Sequence, residues 1–278
     1  MFKNNDNNDN MDLLKYTFFQ HAVGGMALLA LISGIIGTYI VVRRMVFVAG
    51  GITHTSFGGV GIGVYLGINP ILSAFIFSLC SALGVEWISR KHKVREDSAI
   101  AIFWSLGMAV GIIAIFLTPG YAPNLSSFLF GNILTITLSD LLWLAALATV
   151  ILLFFCFYYY DIFYVALDRE FARTKTIPVK VIESVMMLLT AAAIVLSIRM
   201  VGIMLLLSLF TIPQLTASVF THRFIKIIAF SSVISLVGGV AGLYLSSALN
   251  VPSGACIVLV LTAIYVITKV IKTLFARQ

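Results

Sequence analysis

The sequence predicts an all-α fold, a polytopic transmembrane bundle of eight or nine spanning helices, and three observations predict it. Sixty per cent of the 278 residues are apolar and ten per cent are charged, and mean hydropathy is +1.07, a balance suited to lipid and not to water as the main solvent. The apolar residues fall into runs of the ~20-residue length that crosses a bilayer. The Lys and Arg residues gather between those runs, and not in a separate polar domain.

Residues 1–17 read as a polar N-terminal tail. The opening MFKNNDNNDNMD lacks the basic start and apolar core of a signal peptide, so the tail is expected to be disordered and uncleaved. Residues 18–278 read as a single transmembrane domain. Its apolar stretches run from Phe18 to Val42, Val46 to Leu66, Ile71 to Ser89, Ser98 to Thr118, Ile133 to Tyr158, Val179 to Ile198, Val201 to Phe220, Ile227 to Ala248 and Ser253 to Val270.

Basic clusters stand at Arg43/Arg44, Arg90/Lys91/Lys93/Arg95, Arg169/Arg173/Lys175, Arg223/Lys226 and Lys269/Lys272/Arg277. All of them fall on the cytoplasmic side if each lies two crossings from the next, as the positive-inside rule asks. Nine crossings satisfy that alternation with the N-terminus outside, opposed only by Lys3, Lys15 and Arg199. Eight result if the first stretch or the Val201 to Phe220 stretch stops short. The formal charge of +7 is thus spent on orientation, which argues against nucleic-acid binding.

Several smaller features punctuate the bundle. Gly59, Gly63 and Gly67 share a helix face, as do Gly107 with Gly111 and Gly238 with Gly242, and such faces let helices approach closely in lipid. Pro213 removes a backbone donor inside an apolar run and is expected to kink or break it, which makes Thr211 to Gln214, with Pro213 and Gln214 as gate candidates, either a pore-lining bend or a structural kink. The uncharged GYAPNLSSFLFGN, Gly120 to Asn132, reads as an outer re-entrant or gate segment. Cys80, Cys156 and Cys256 lie in different runs without metal-ligand spacing and read as packing residues.

Five segments, in order, carry a resemblance: VVRRMVFVAGGITHTSFGGVGIGVYLG (Val41 to Gly67), REDSAIAIFWSLGMAVG (Arg95 to Gly111), SSFLFGNIL (Ser126 to Leu134), VGIMLLLSLFTIPQLTA (Val201 to Ala217) and NVPSGACIVL (Asn250 to Leu259). Together they resemble the membrane permeases of the ABC-type zinc/manganese/iron uptake family across nearly the whole chain. The resemblance implies an inner-membrane homodimer, paired with two cytoplasmic ATPase subunits and fed by an extracytoplasmic metal-binding protein. It implies no permanently bound cofactor, a transported divalent metal, and ATP on the partner subunit. No GxxxxGK[ST] phosphate loop occurs in the sequence, which agrees with ATP chemistry supplied in trans.

His54 is the first candidate for metal contact, since neutral imidazole ligates zinc, manganese and iron and polar groups within spans are costly. The other reading is a His bonded to a neighbouring helix carbonyl. The family pattern places an Asp one turn earlier, where Gly50 stands here, so the hard oxygen ligand is missing. Paired copies of His54 across a dimer axis, the Thr53 or Thr55 hydroxyls, or another helix remain as partners, and a nitrogen-dominated site suits zinc or ferrous iron better than manganese. Met108, Met200 and Met204 read as gap fillers, and Glu86 and Glu183 as partners of nearby Arg or Lys or as part of an inner exit.

Residues 161–178 form the expected cytoplasmic coupling segment. Within DREFARTKTIPV, Asp168 to Val179, acidic Asp168 and Glu170 near the start and Arg173 and Lys175 near the end match the polarity of a short helix. Phe171 and Ala172 are docking candidates for an ATPase groove, and the family's Gly is replaced by Thr176. A stand-alone transporter driven by an ion gradient is the alternative, disfavoured because intramembrane carboxylates for ion coupling are scarce. An embedded enzyme is disfavoured by the absence of HExxH and GxSxG.

Overall fold

The computed structural model describes residues 15–92, 94–119, 131, 133 and 136–275, and among them only helices occur as regular structure. In chain order these are α1 Thr17–Val42, α2 Val46–Tyr65, α3 Pro70–His92, α4 Glu96–Leu117, α5 Leu138–Phe157, α6 Tyr159–Leu167, α7 Arg169–Thr174, α8 Val179–Leu209, α9 Ile212–Phe220, α10 Phe224–Leu249 and α11 Ser253–Phe275. Local chemistry sets several boundaries. Asn69 accepts from Ile71 N–H at 2.9 Å and so caps α3, while Thr137 and Asp140 form a reciprocal capping box that starts α5. Asn250 in the left-handed region ends α10.

Eight segments are long and apolar enough to cross a membrane, with α8 and α9 together supplying two of them, Val179–Ile198 and Met200–Phe220. The chain is therefore a multi-pass membrane protein. Outside that set, besides the short α6 and α7, lies α2, which has the length of a crossing but is diluted by its glycines and by Thr53, His54, Thr55 and Ser56. Its polarity is sheltered instead, for most of its residues are buried, with α3 and α4 packed along it.

Burial sorts the spans into centre and rim. Thr17–Val42 and Val179–Ile198 are each 72% buried, against 17% for Ser253–Phe275, so α1 and the first half of α8 form the axis and α11 faces outward. On α1, Ser33 lies 3.3 Å from Ser235 of α10, and a Cβ on Gly34 would strike the Ser232 hydroxyl. Small residues thus let this pair cross closely, as dispersion-driven packing in lipid requires.

The second half of the chain holds two backbone breaks. One falls where Pro213 predicts it: α8 ends at Leu209 and α9 begins at Ile212 with Pro213 in its first turn, where its missing N–H costs no helix bond. The other is at Gly202 (φ 72°, ψ 169°) inside α8, a conformation essentially restricted to glycine. Gly131 packs against it so tightly that a Cβ there would lie 2.2 Å from the Gly202 nitrogen. The remainder of the expected re-entrant segment, 120–130 and 132, lies outside the described residues, as does most of the 1–17 tail.

The first three basic clusters meet at one end of the bundle. Arg43 after α1, Arg90 of α3 and Arg169 of α7 all reach Glu183 at the start of α8, the common side that the charge pattern requires.

Candidate metal path and coupling segment

His54 lies on α2, partly exposed on a helix whose neighbouring positions are buried. Consecutive residues of a helix point ~100° apart, so Thr53 and Thr55 face elsewhere. Both are buried, and each hydroxyl donates to the carbonyl one turn back, Thr53 to Ala49 and Thr55 to Gly51. Thr55 lies in the seam with α4, where a Cβ on Gly107 would meet its Cα at 2.6 Å. The structure therefore separates His54 from the two threonines.

What it brings to His54 is Trp104 of α4, whose ring stacks on the imidazole at 4.3 Å between centroids and 8° between planes. The buried Nδ1 of His54 has no hydrogen-bond partner among the described residues, so Nδ1 is not bonded to a helix carbonyl there. Gly50 shares this face: a Cβ on it would stand 3.4 Å from Leu207 of α8 and 3.5 Å from the Trp104 ring. The position without a carboxylate is thus roofed by the same indole that covers His54. Among the described residues no three His, Cys, Asp or Glu side chains converge on one point.

Trp104 escaped the sequence reading, yet a signal for it exists. It stands three residues before Gly107 and four after Ile100, and both of those pack on α2. Helical spacing places all three on one stripe.

Gln214 is fully buried and reaches across the α8–α9 break, donating to the Ser33 carbonyl of α1 at 2.7 Å and to the Leu209 carbonyl at 3.2 Å. Gly37 of α1 makes room for it, since a Cβ there would be 2.5 Å from the Gln214 amide nitrogen. Pro213 and Gln214 therefore sit where the break meets the central helix. The methionines do not pair: Met200 is buried, with its methyl against Gly25, and Met204 is exposed. His21 donates from Nδ1 to the Ile136 carbonyl at 3.3 Å, which joins α1 to the entry of α5.

At the other end lies α7. Asp168 caps it, accepting from Glu170 N–H at 2.9 Å and Phe171 N–H at 3.1 Å. Ala172 is buried, while Phe171 is 44% exposed, leans on Tyr164 at 5.6 Å and carries Lys175 over its ring. Glu170 pairs with Arg173 at 2.6 Å. Of the four expected coupling residues, then, Glu170 and Phe171 are presented outward, Asp168 holds the helix start and Ala172 anchors it. Burial weighs against charge on Arg169, but its hydrogen bond to Glu183 prevails and lifts its pKa above the ordinary arginine value.

Thr176 has φ 58°, which explains why a glycine suits this turn. A β-branched residue in the left-handed region costs about 1–2 kcal/mol, partly offset in a glycine variant by the larger entropy of its unfolded chain. Thr176→Gly is expected to stabilise the protein by up to about 1 kcal/mol, seen as a higher midpoint of thermal unfolding in detergent. A lower midpoint would contradict this account of the turn.

Comparison with known proteins agrees with this architecture. The family described as ABC 3 transport family matches residues 15–272. The chain is similar to an uncharacterized membrane protein of Synechocystis, 36% identical over 255 residues that make up 92% of this chain and 91% of that one. It is similar to the manganese transport system membrane protein MntC of Listeria monocytogenes, 31% identical over 255 residues, again 92% and 91% of the two chains. Among solved structures, PsaBC from Streptococcus pneumoniae in complex with Fab superposes with a TM-score of 0.82 at 26% identity, covering 94% of each chain.

Proposed function

The chain belongs to the ABC 3 transport family and is a transport permease, and from that premise we propose that it carries zinc, manganese or ferrous iron inward across the membrane, powered by ATP hydrolysed on separate subunits. Two copies of the chain form the pathway, two cytoplasmic ATPase subunits dock on α7, and an extracytoplasmic metal-binding protein delivers the ion. The observation that carries this reading is His54: a partly exposed imidazole within the membrane bundle, with a buried Nδ1 that has no partner among the described residues. An orphan polar atom in such a place costs free energy, and a passing cation offers it a partner.

A site of one imidazole per copy binds weakly, which suits conduction, since an ion must leave as readily as it enters. Glycine at position 50 leaves nitrogen as the leading donor and tilts the choice toward zinc or ferrous iron over manganese. ATP acts by biasing a two-state arrangement of helices, and the exposed Phe171 and Glu170 of α7 supply the contact through which nucleotide state is felt.

The test is reconstitution of the chain with its ATPase and binding protein in proteoliposomes, with zinc, manganese and ferrous iron supplied separately. Uptake of at least one ion is expected only when both ATPase and ATP are present. Uptake by the chain alone would overturn the proposal in favour of a gradient-driven carrier.

A further inference from the structure

We propose that Glu183 is the joint through which motion of the coupling helix reaches the transmembrane bundle, with Arg169 as the arm that pulls on it. The inference rests on the importer reading above and adds the route by which the ATPase side acts on the membrane side.

Glu183 is only 7% exposed, yet it accepts from three arginines on three separate elements. Arg43, after α1, reaches its Oε1 at 2.8 Å, and Arg90 of α3 reaches its Oε2 at 2.9 Å. Arg169, the first residue of α7, donates to Oε1 through Nε and to Glu96 at the start of α4 at 2.8 Å. Arg43 stands 3.7 Å from the same Glu96 oxygen and donates to the Val165 carbonyl of α6 at 3.0 Å. Glu86 completes the cluster, bound to Arg90 and to Ser184. Three arginines and three glutamates thus balance in charge and tie α1, α3, α4, α6 and α8 to the first residue of α7.

A buried ionic cluster is a poor device for stability alone, because desolvation offsets much of the attraction and apolar packing often does as well. Its use lies in specifying an arrangement. Each arginine here can exchange one carboxylate oxygen for another with a small displacement, so the cluster offers discrete alternative pairings of the kind a two-state transition needs. Arg169 is adjacent to Glu170 and Phe171, the outward-facing residues of α7, so a push on that surface arrives first at Glu183 and Glu96.

The experiment compares wild type, Glu183→Gln, Arg169→Gln and the control Asp97→Asn, which removes an exposed pair with Arg95 at 3.8 Å at the same end. Each is reconstituted with ATPase and binding protein, and radiolabelled manganese, zinc or ferrous iron, whichever wild type imports, is counted per ATP hydrolysed. Glu183→Gln and Arg169→Gln are expected to keep the ATPase in the purified complex and to keep its hydrolysis, while metal moved per ATP falls about tenfold, the scale of a typical coupling free energy. Asp97→Asn is expected to match wild type. Should Glu183→Gln fail to fold, Arg169→Gln decides, since it leaves Glu183 paired with Arg43 and Arg90. An unaltered ratio, or loss of uptake only in proportion to lost ATPase binding, would overturn the joint. Absence of ATP-dependent uptake by wild type would instead sink the importer reading itself.

Discussion

Replacement of His54 by alanine is expected to lower metal uptake about 10- to 100-fold, the range seen when groups that hold or tune a metal are removed, while the protein remains in the membrane at its normal level. The imidazole is partly exposed, and among the described residues its only ring contact is the stack on Trp104, so truncation removes little packing and should leave the fold intact. Its Nδ1 has no partner among the described residues, and deleting it strands no other polar group among them. Uptake in cells with zinc, manganese and iron compared, alongside membrane abundance of the variant, separates loss of a ligand from loss of protein. Equal uptake of every ion by wild type and His54→Ala would remove the residue from the pathway.

That prediction starts from a residue the sequence already exposes, because a histidine amid glycines and threonines in an apolar run has few readings. The architecture was equally legible: apolar runs of spanning length and alternating basic clusters dictate a multi-pass bundle whatever the details of packing. Three features were not. Trp104 becomes notable only when α4 is laid on α2, since a tryptophan in an apolar helix reads as ordinary lipid contact. Gly202 interrupts α8 without a proline to announce it, and the glycine packed against the break, Gly131, comes from a distant part of the chain. Glu183 reads as a partner of nearby Arg or Lys or as part of an inner exit, and the arginine pairing holds, but only the fold shows that its partners come from as far as 140 positions away and converge on it together. Each miss is a contact between remote segments, which periodicity and composition do not encode.

The glycines show the same division, and they carry the largest expected effect on stability. The spacing of Gly107 and Gly111 predicts a close helix contact but not its partner. The partner is α2, through Gly58 and Gly61, which the tetrad pattern passes over. A Cβ on Gly61 would lie 2.5 Å from the Gly111 carbonyl oxygen, one on Gly58 2.7 Å from that of Gly107, and one on Gly111 2.7 Å from that of Phe57. These obstacles are backbone atoms, so no change of rotamer relieves them and the helices must separate. Gly111→Val is therefore expected to destabilise the fold by about 3 kcal/mol or more, the upper end for overpacking, with a lower thermal midpoint in detergent and reduced membrane abundance. Gly24→Ala serves as the control, because among the described residues a Cβ there meets only the Leu141 side chain at 4.0 Å and should be nearly neutral. If Gly111→Val were as stable as Gly24→Ala, α2 and α4 would not be in backbone contact. The face that carries His54 beneath Trp104 would then lose the support this seam gives it.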